Sequence, residues 1–233
     1  MADESFADTL NRLVITPERN QDNTARMDAY HNALFSPEGE ATLRYLTDER
    51  GLAEGTIRSF RLGYVANPYP IDRMAQGYIS IPYLTPSGVF DIRFRRGPGN
   101  PENAPKYWQP AGSAQTIFNV RDLNPNSPYI VIGEGEFTAI MAAQVGIPCI
   151  AYPGVESVKP YHRHLLEGFE RVYLCGDGDD AGANFNRKLA EMIPNAYPIT
   201  LPPGEDIDSL VRTRGEKALR ELLFGNSKEN SNA

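Results

Sequence analysis

The sequence predicts an α/β protein in two parts. A small subdomain of helices and one β-hairpin comes first, and a mostly parallel sheet with helices on both faces follows. Three observations predict it. From Pro128 onward, apolar runs of four to six residues alternate with helical stretches, the pattern of a parallel sheet covered on both sides. Two β-branched and aromatic runs flank the turn Thr85-Pro86-Ser87-Gly88 and read as a hairpin. Ahead of that hairpin, apolar residues recur at helical spacing, punctuated by Pro and Gly.

Taken in order, residues 1–25 are polar, with one short apolar patch at Leu10, Leu13, Val14 and Ile15, and read as a flexible N-terminal arm. Residues 26–127 form the first subdomain. Tyr30, Leu34 and Phe35 mark its first helix. Ser36 is a plausible N-cap and Pro37 a first helical position for a second helix carrying Leu43 and Leu46. Gly51 stops that helix, and a third carries Ile57 and Phe60. The hairpin spans Gly77–Leu84 and Val89–Arg95, and residues 97–104 are a loop. Residues 128–225 form the sheet domain. Its strands are Tyr129–Ile132, Pro148–Ala151, Val172–Cys175 and Ala196–Leu201. Its helices are Phe137–Val145, His162–Phe169, Ala183–Met192, Ile207–Arg214 and Glu216–Phe224. Residues 226–233 read as a disordered tail.

Composition narrows the function. Of 233 residues 41% are hydrophobic, enough for a core. Two cysteines, Cys149 and Cys175, cannot form a four-cysteine zinc site, and His31, His162 and His164 read as structural or surface groups. No apolar run is long enough to span a membrane and no signal-peptide pattern opens the chain, so a cytoplasmic protein is expected. The net charge of −7 argues at first against nucleic acid. The excess is local, however. Between Gly133 and Asp208 stand 12 acidic and 5 basic residues, and outside that window the charges balance at 18 of each.

Three acidic groups in that window each follow an apolar run. They are Gly133-Glu134-Gly135-Glu136, then Gly176-Asp177-Gly178-Asp179-Asp180-Ala181-Gly182, then Glu205-Asp206-Ile207-Asp208. Ligand sites of open α/β sheets lie at the carboxyl ends of the strands. A parallel sheet therefore lets all three converge on one edge, where carboxylates repel unless a hard divalent cation lies between them. Mg²⁺, held by few carboxylates together with water and phosphate oxygens, suits phosphoryl transfer at such an edge. A lone Asp-Gly-Asp is usually an ordinary turn; three groups in register after three strands are a stronger signal. A dinucleotide-binding loop is excluded because Thr138 stands where the third glycine belongs, and no 12-residue EF-hand loop fits.

A second signal lies on the hairpin. Arg93, Arg95 and Arg96 end it, and Lys106, Tyr107 and Trp108 follow. Alternation puts Arg93 and Arg95 on one face and Phe94 on the other. Basic groups beside aromatic rings suit single-stranded nucleic acid or nucleotides, although a charged edge strand is common for its own sake.

Glu134-Gly135, Asp177-Gly178-Asp179-x-Ala181-Gly182 and Asp206-x-Asp208-Ser209-Leu210-Val211 together resemble the Toprim domain of the bacterial DnaG-type primases. Upstream, Tyr30-His31-x-x-Leu34, Ser36-Pro37-Glu38-Gly39, Tyr45-Leu46, Arg50-Gly51-Leu52, Phe60-Arg61-Leu62-Gly63-Tyr64 and Pro105-Lys106-Tyr107 resemble the same catalytic core. The likeness covers roughly residues 27–225. It implies a Rossmann-like Toprim domain and a nucleotidyltransferase that makes short RNA primers on single-stranded DNA from ribonucleoside triphosphates. It implies Glu134 as a metal-associated group or general acid/base. Asp177, Asp179, Asp206 and Asp208 are then ligands of Mg²⁺ or Mn²⁺, with Asp177 and Asp179 catalytic as well. Arg93, Arg95, Arg96 and Lys106 are implied as binders of template or nucleotide phosphates.

Two departures stand out. The family carries an acidic residue four positions after the glutamate, where this chain has Thr138, so a metal contact there is missing or replaced, with Glu136 a candidate. The sequence shows no zinc module and no Walker A motif, and stops where the family's helicase-binding domain begins. A compact phage-type core is the expectation, without zinc, in a bacterial cytoplasm or phage-infected cell. A separate helicase and zinc-finger protein would act in trans. Two other readings stay open: a Toprim nuclease using the same metals, and a non-catalytic DNA-binding protein that keeps the fold.

Overall fold

A computed structural model describes residues 15–113, 116–153 and 158–225. The chain forms two compact units, residues 1–115 and 116–233.

The first unit opens with α1 (Pro17–Leu34), capped where Thr16 Oγ1 accepts the Arg19 N–H at 3.2 Å. Residues 17–25 are thus helix, not arm, while the apolar patch at Leu10–Val14 lies outside the described residues. The sequence hid this half because its inward face is polar. Asn23 donates to the Val89 and Phe90 carbonyls, and Arg26 pairs with the fully buried Asp72 at 2.6 Å. Tyr30 Oη donates to the other Asp72 oxygen at 2.7 Å, and burial pushes its pKa up, keeping that proton in place. His31 is buried too, with Nδ1 2.7 Å from the Leu62 carbonyl.

Ser36 stands at the cap position of a 3₁₀ turn (Pro37–Gly39), but its hydroxyl donates to the Ala33 carbonyl instead of capping. Next come α2 (Glu40–Arg44), which runs into a π turn (Tyr45–Glu49), and α3 (Glu54–Ser59). An antiparallel sheet follows in the order β1 (Gly63–Tyr64), β2 (Ile79–Thr85), β3 (Gly88–Arg95), β4 (Tyr107–Trp108). The β2–β3 hairpin turns at Pro86-Ser87, with an irregularity at Tyr83/Leu84. Met27, Tyr30, Val65, Tyr78, Ile92 and Phe94 form the core between α1 and the sheet.

The second unit begins at Thr116, not at Pro128. Phe118 makes an antiparallel bridge to Ala151, and Asp122 Oδ2 accepts the Cys149 N–H at 3.0 Å, so residues 116–127 are bound to the edge of the second sheet. That sheet contains β5 (Tyr129–Gly133), β6 (Cys149–Ala151), β7 (Arg171–Cys175) and β8 (Ala196–Pro198), all parallel, in the order β6-β5-β7-β8. Ile130, Ile132, Ile150, Val172 and Leu174 face α5 (Arg163–Leu166) and α6 (Asp180–Met192) through Leu166, Phe185 and Leu189. On the other face, α4 (Glu136–Gln144) packs against α7 (Ile207–Phe224), and Phe224 lies on Tyr129 and Tyr173. Both faces are covered, as the apolar runs require. Gly215, at φ 78°, kinks α7 where the sequence separates two helical runs. The tail 226–233 lies outside the described residues. Among the described residues no helix is long and apolar enough to cross a membrane.

Candidate active site

The strand order places the site. The helix after β5 goes to one face of the sheet and the helix after β7 to the other, so their loops diverge at the carboxyl edge. Such a switch point is where open α/β sheets bind ligands. Gly133 of β5 pairs with Cys175 of β7, which brings Glu134 and Asp177 out side by side.

The three acidic loops are joined by hydrogen bonds. Glu134 Oε1 accepts the Asp177 N–H at 3.0 Å. Gly178 N–H donates to the Glu205 carbonyl at 2.7 Å, and Gly204 N–H donates to the Gly178 carbonyl at 2.8 Å. Only glycine fits at 178, because a Cβ there would meet the Pro202 carbonyl oxygen at 2.0 Å. Asp179 and Asp206 cap α6 and α7: Asp179 Oδ1 accepts the Gly182 N–H at 2.8 Å, and Asp206 Oδ1 accepts the Ser209 N–H at 2.7 Å. Asp208, in the first turn of α7, is buried.

Burial is the main cause that raises the half-buried Glu134 carboxyl above its usual pKa. The Asp177 N–H opposes the shift, and the Asp179 charge adds to it. Glu134, Asp179 and Asp206 have no ion pair with a cationic side chain among the described residues; their partners are backbone N–H groups. Nor are three or more Asp, Glu, His or Cys side chains gathered into a metal cage among those residues. Hard cations such as Mg²⁺ take one or two carboxylates and complete their shell with water and phosphate, and the all-oxygen donors here have that chemistry.

Thr138 is buried on α4 with its Cγ2 over Gly133, where a Cβ would lie 2.4 Å away. Glu136 is buried as well. Cys149 and Cys175 are free and buried, and burial pushes the Cys175 thiol up to about 12.

The basic cluster belongs to the first unit and gathers around Tyr107. Arg93 lies 4.2 Å from its ring centroid, Arg95 5.3 Å and Lys106 5.9 Å, and Arg95 Nη1 donates to the Tyr107 hydroxyl at 2.6 Å. Phe94 points to the opposite face, 5.5 Å from the Trp108 ring. Arg96 does not join this group. Its guanidinium donates to the Glu102 carbonyl and, at 3.0 Å, to the Ala104 carbonyl, holding the 97–104 loop.

The acidic loops lie within a segment that matches a known family. The Toprim domain family matches residues 129–217, the whole acidic edge. The Gene 57 protein of Mycobacterium phage D29 is 37% identical over 155 residues, covering 64% of this chain and all of that protein. The chain belongs to one family with that phage protein and carries a Toprim domain. The DNA primase of Pseudomonas aeruginosa is 33% identical over 115 residues, and that of Chlamydia trachomatis 26% over 227. The chain spans 17% and 38% of those two primases. In fold it is similar to the DnaG primase catalytic domain solved with single-stranded DNA, with a TM-score of 0.74 at 22% identity over 94% of this chain and 80% of that one. The RNA polymerase domain of Mycobacterium tuberculosis DnaG gives 0.73 at 19% identity, over 89% and 83%.

Sequence reasoning missed Asn186. Its amide accepts the Gly176 N–H at 2.8 Å and donates to the Ile199 carbonyl at 3.0 Å. The one signal was a polar residue on the apolar face of α6, between Phe185 and Leu189.

Proposed function

We propose that this chain is a primase catalytic core that makes short RNA primers on single-stranded DNA by metal-assisted nucleotidyl transfer. The observation that supports this most is the joining of the Asp177–Asp179 loop to Glu134 on one side and to the Glu205 segment on the other. On this reading Glu134, Asp177, Asp179, Asp206 and Asp208 hold Mg²⁺ or Mn²⁺. When bound, the cations supply positive charge to the incoming triphosphate and to the charge that develops at the α-phosphorus. Glu134 serves either as one of these metal ligands or as the group that accepts the proton of the attacking primer hydroxyl, and in both roles the Asp177 N–H orients its carboxylate. Thr138 leaves the donor set one carboxylate smaller than the family pattern.

Arg93, Arg95 and Lys106 hold template or nucleotide phosphates around the Tyr107 ring, and Arg96 serves them by fixing the neighbouring loop. The partners of this reading are a single-stranded template, ribonucleoside triphosphates, and a helicase and zinc-finger protein acting in trans. They would meet in a bacterial cytoplasm or phage-infected cell, and the reading calls for no zinc in this chain.

The test incubates the protein with single-stranded DNA, labelled ribonucleotides and Mg²⁺ or Mn²⁺. Short labelled oligomers, lost in Asp177→Ala, are the expected result. A cut template would instead mark a nuclease, and binding with neither product a non-catalytic protein.

A further inference from the structure

Asn186 lies seven residues past Asp179 on α6, two turns along the same face, and is nine-tenths buried. Its amide orientation is fixed by chemistry. The Gly176 N–H can only donate and so faces Oδ1; the Ile199 carbonyl can only accept and so faces the amide nitrogen. Gly176 immediately precedes Asp177. Ile199 opens the segment that leads through Pro202 to Glu205 and Asp206, and its own N–H is tied to the Leu174 carbonyl at 2.8 Å. The far ends of the two acidic loops are already joined at Gly178, Gly204 and Glu205. Asn186 is the side chain that joins their near ends.

We propose that Asn186 is a positioning residue for the acidic edge, setting the spacing between the Asp177–Asp179 loop and the Asp206–Asp208 loop. The proposal rests on the metal-binding reading above and extends it to a residue that touches neither metal nor substrate. A backbone carbonyl on one loop and a backbone N–H on the other are spanned by one short amide. A change in that span moves carboxylates on both sides. Groups that act on a reacting centre lose function on displacements of about 1 Å.

A merely structural amide provides the control. Asn195 donates from one amide to the Leu166 and Phe169 carbonyls, at 3.1 and 2.6 Å, beside the amino end of β8 and so at the opposite edge of the sheet. The experiment compares Asn186→Ala with Asn195→Ala in the full chain. It reads direct Mn²⁺ binding by electron paramagnetic resonance, melting temperature, and the KM and kcat of primer synthesis. The expected result is that both variants melt earlier, but only Asn186→Ala weakens Mn²⁺ binding, by tenfold or more, with kcat falling and KM for template unchanged. Should Asn186→Ala fail to melt cooperatively, Asn186→Ser, polar but too short to span both groups, takes its place.

Unchanged Mn²⁺ binding in a folded Asn186 variant overturns the proposal, as does equal weakening in the Asn195 variant. Wild-type protein that binds Mn²⁺ but makes no primers would sink the primase reading while leaving this one to be decided by the resonance titration. Wild-type protein that binds no Mn²⁺ overturns both.

Discussion

Charged side chains are handled in opposite ways in the two units. In the first, the buried Asp72 carboxylate meets Arg26 at 2.6 Å and Tyr30 at 2.7 Å, and Arg26 is held in turn by Asn23. Positive and negative charge are closed on each other inside the fold. In the second, Glu134, Asp179 and Asp206 take backbone N–H groups as partners, and among the described residues no cationic side chain pairs with them. A closed network fixes architecture, because removing any member strands a buried charge. A set of carboxylates held only by N–H groups has its positions fixed and its charge uncompensated, which is the condition for recruiting a cation.

The largest effect expected from this contrast is catalytic. Asp179→Asn keeps the cap on Gly182 N–H but removes the charge, so stability changes by less than about 1 kcal/mol while primer synthesis falls by about 100-fold or more. Parallel measurement of denaturation and primer yield checks it. A variant that melts early and loses activity in proportion would show that the carboxylate is only a cap.

Next comes the closed network. Asp72→Ala leaves Arg26 buried without its counter-charge and costs about 3–5 kcal/mol in chemical denaturation. The double variant Arg26→Met, Asp72→Leu should recover most of that loss. A cost below about 1 kcal/mol for the single variant would place the pair with weak surface salt bridges and break the contrast.

The basic cluster sharpens it further. Arg93→Ala and Arg95→Ala should each weaken binding to single-stranded DNA and lower the slope of log affinity against log salt by about 0.7. Arg96→Ala, which frees a loop, should leave that slope in place. Equal slopes for all four proteins would remove phosphate binding from Arg93 and Arg95.

The smallest effect is a pH dependence. Burial, with Lys159 nearby, holds His162 at a pKa of about 4, and its Nδ1 accepts the Lys159 N–H at 3.2 Å. The unfolded chain binds this proton more tightly than the native one, so stability falls as pH drops from about 6.5 toward 4. His162→Gln should flatten the slope of melting temperature over that window, and an unchanged slope would assign the acid sensitivity to other groups.

The placement of the acidic loops at strand ends was legible because its signals are local. Asp-Gly-Asp after an apolar run and Asp-x-x-Ser at a helix start are short patterns whose geometry follows from neighbouring residues, and both loops stand where their strands end. What stayed hidden depends on distant partners. Residues 17–25 look like a solvated arm until Arg26 finds Asp72, 46 positions away, and Asn23 finds Phe90, 67 away. Phe118 reads as part of the first subdomain until it bridges to Ala151. Arg96 was grouped with Arg93 and Arg95 by residue type, yet it turns to loop carbonyls while Arg95 turns to Tyr107.

The sequence by itself determined the succession of strands and helices from Pro128 onward, the hairpin, and the placement of carboxylates after strands. Hydrophobic period and turn chemistry act over a few residues, and so can be read from them. Only the tertiary structure decided the order β6-β5-β7-β8, the polar inward face of α1 and the amide bridge of Asn186. A buried polar group is tolerated only where a partner meets it, and that partner is named by the fold, not by the neighbouring sequence.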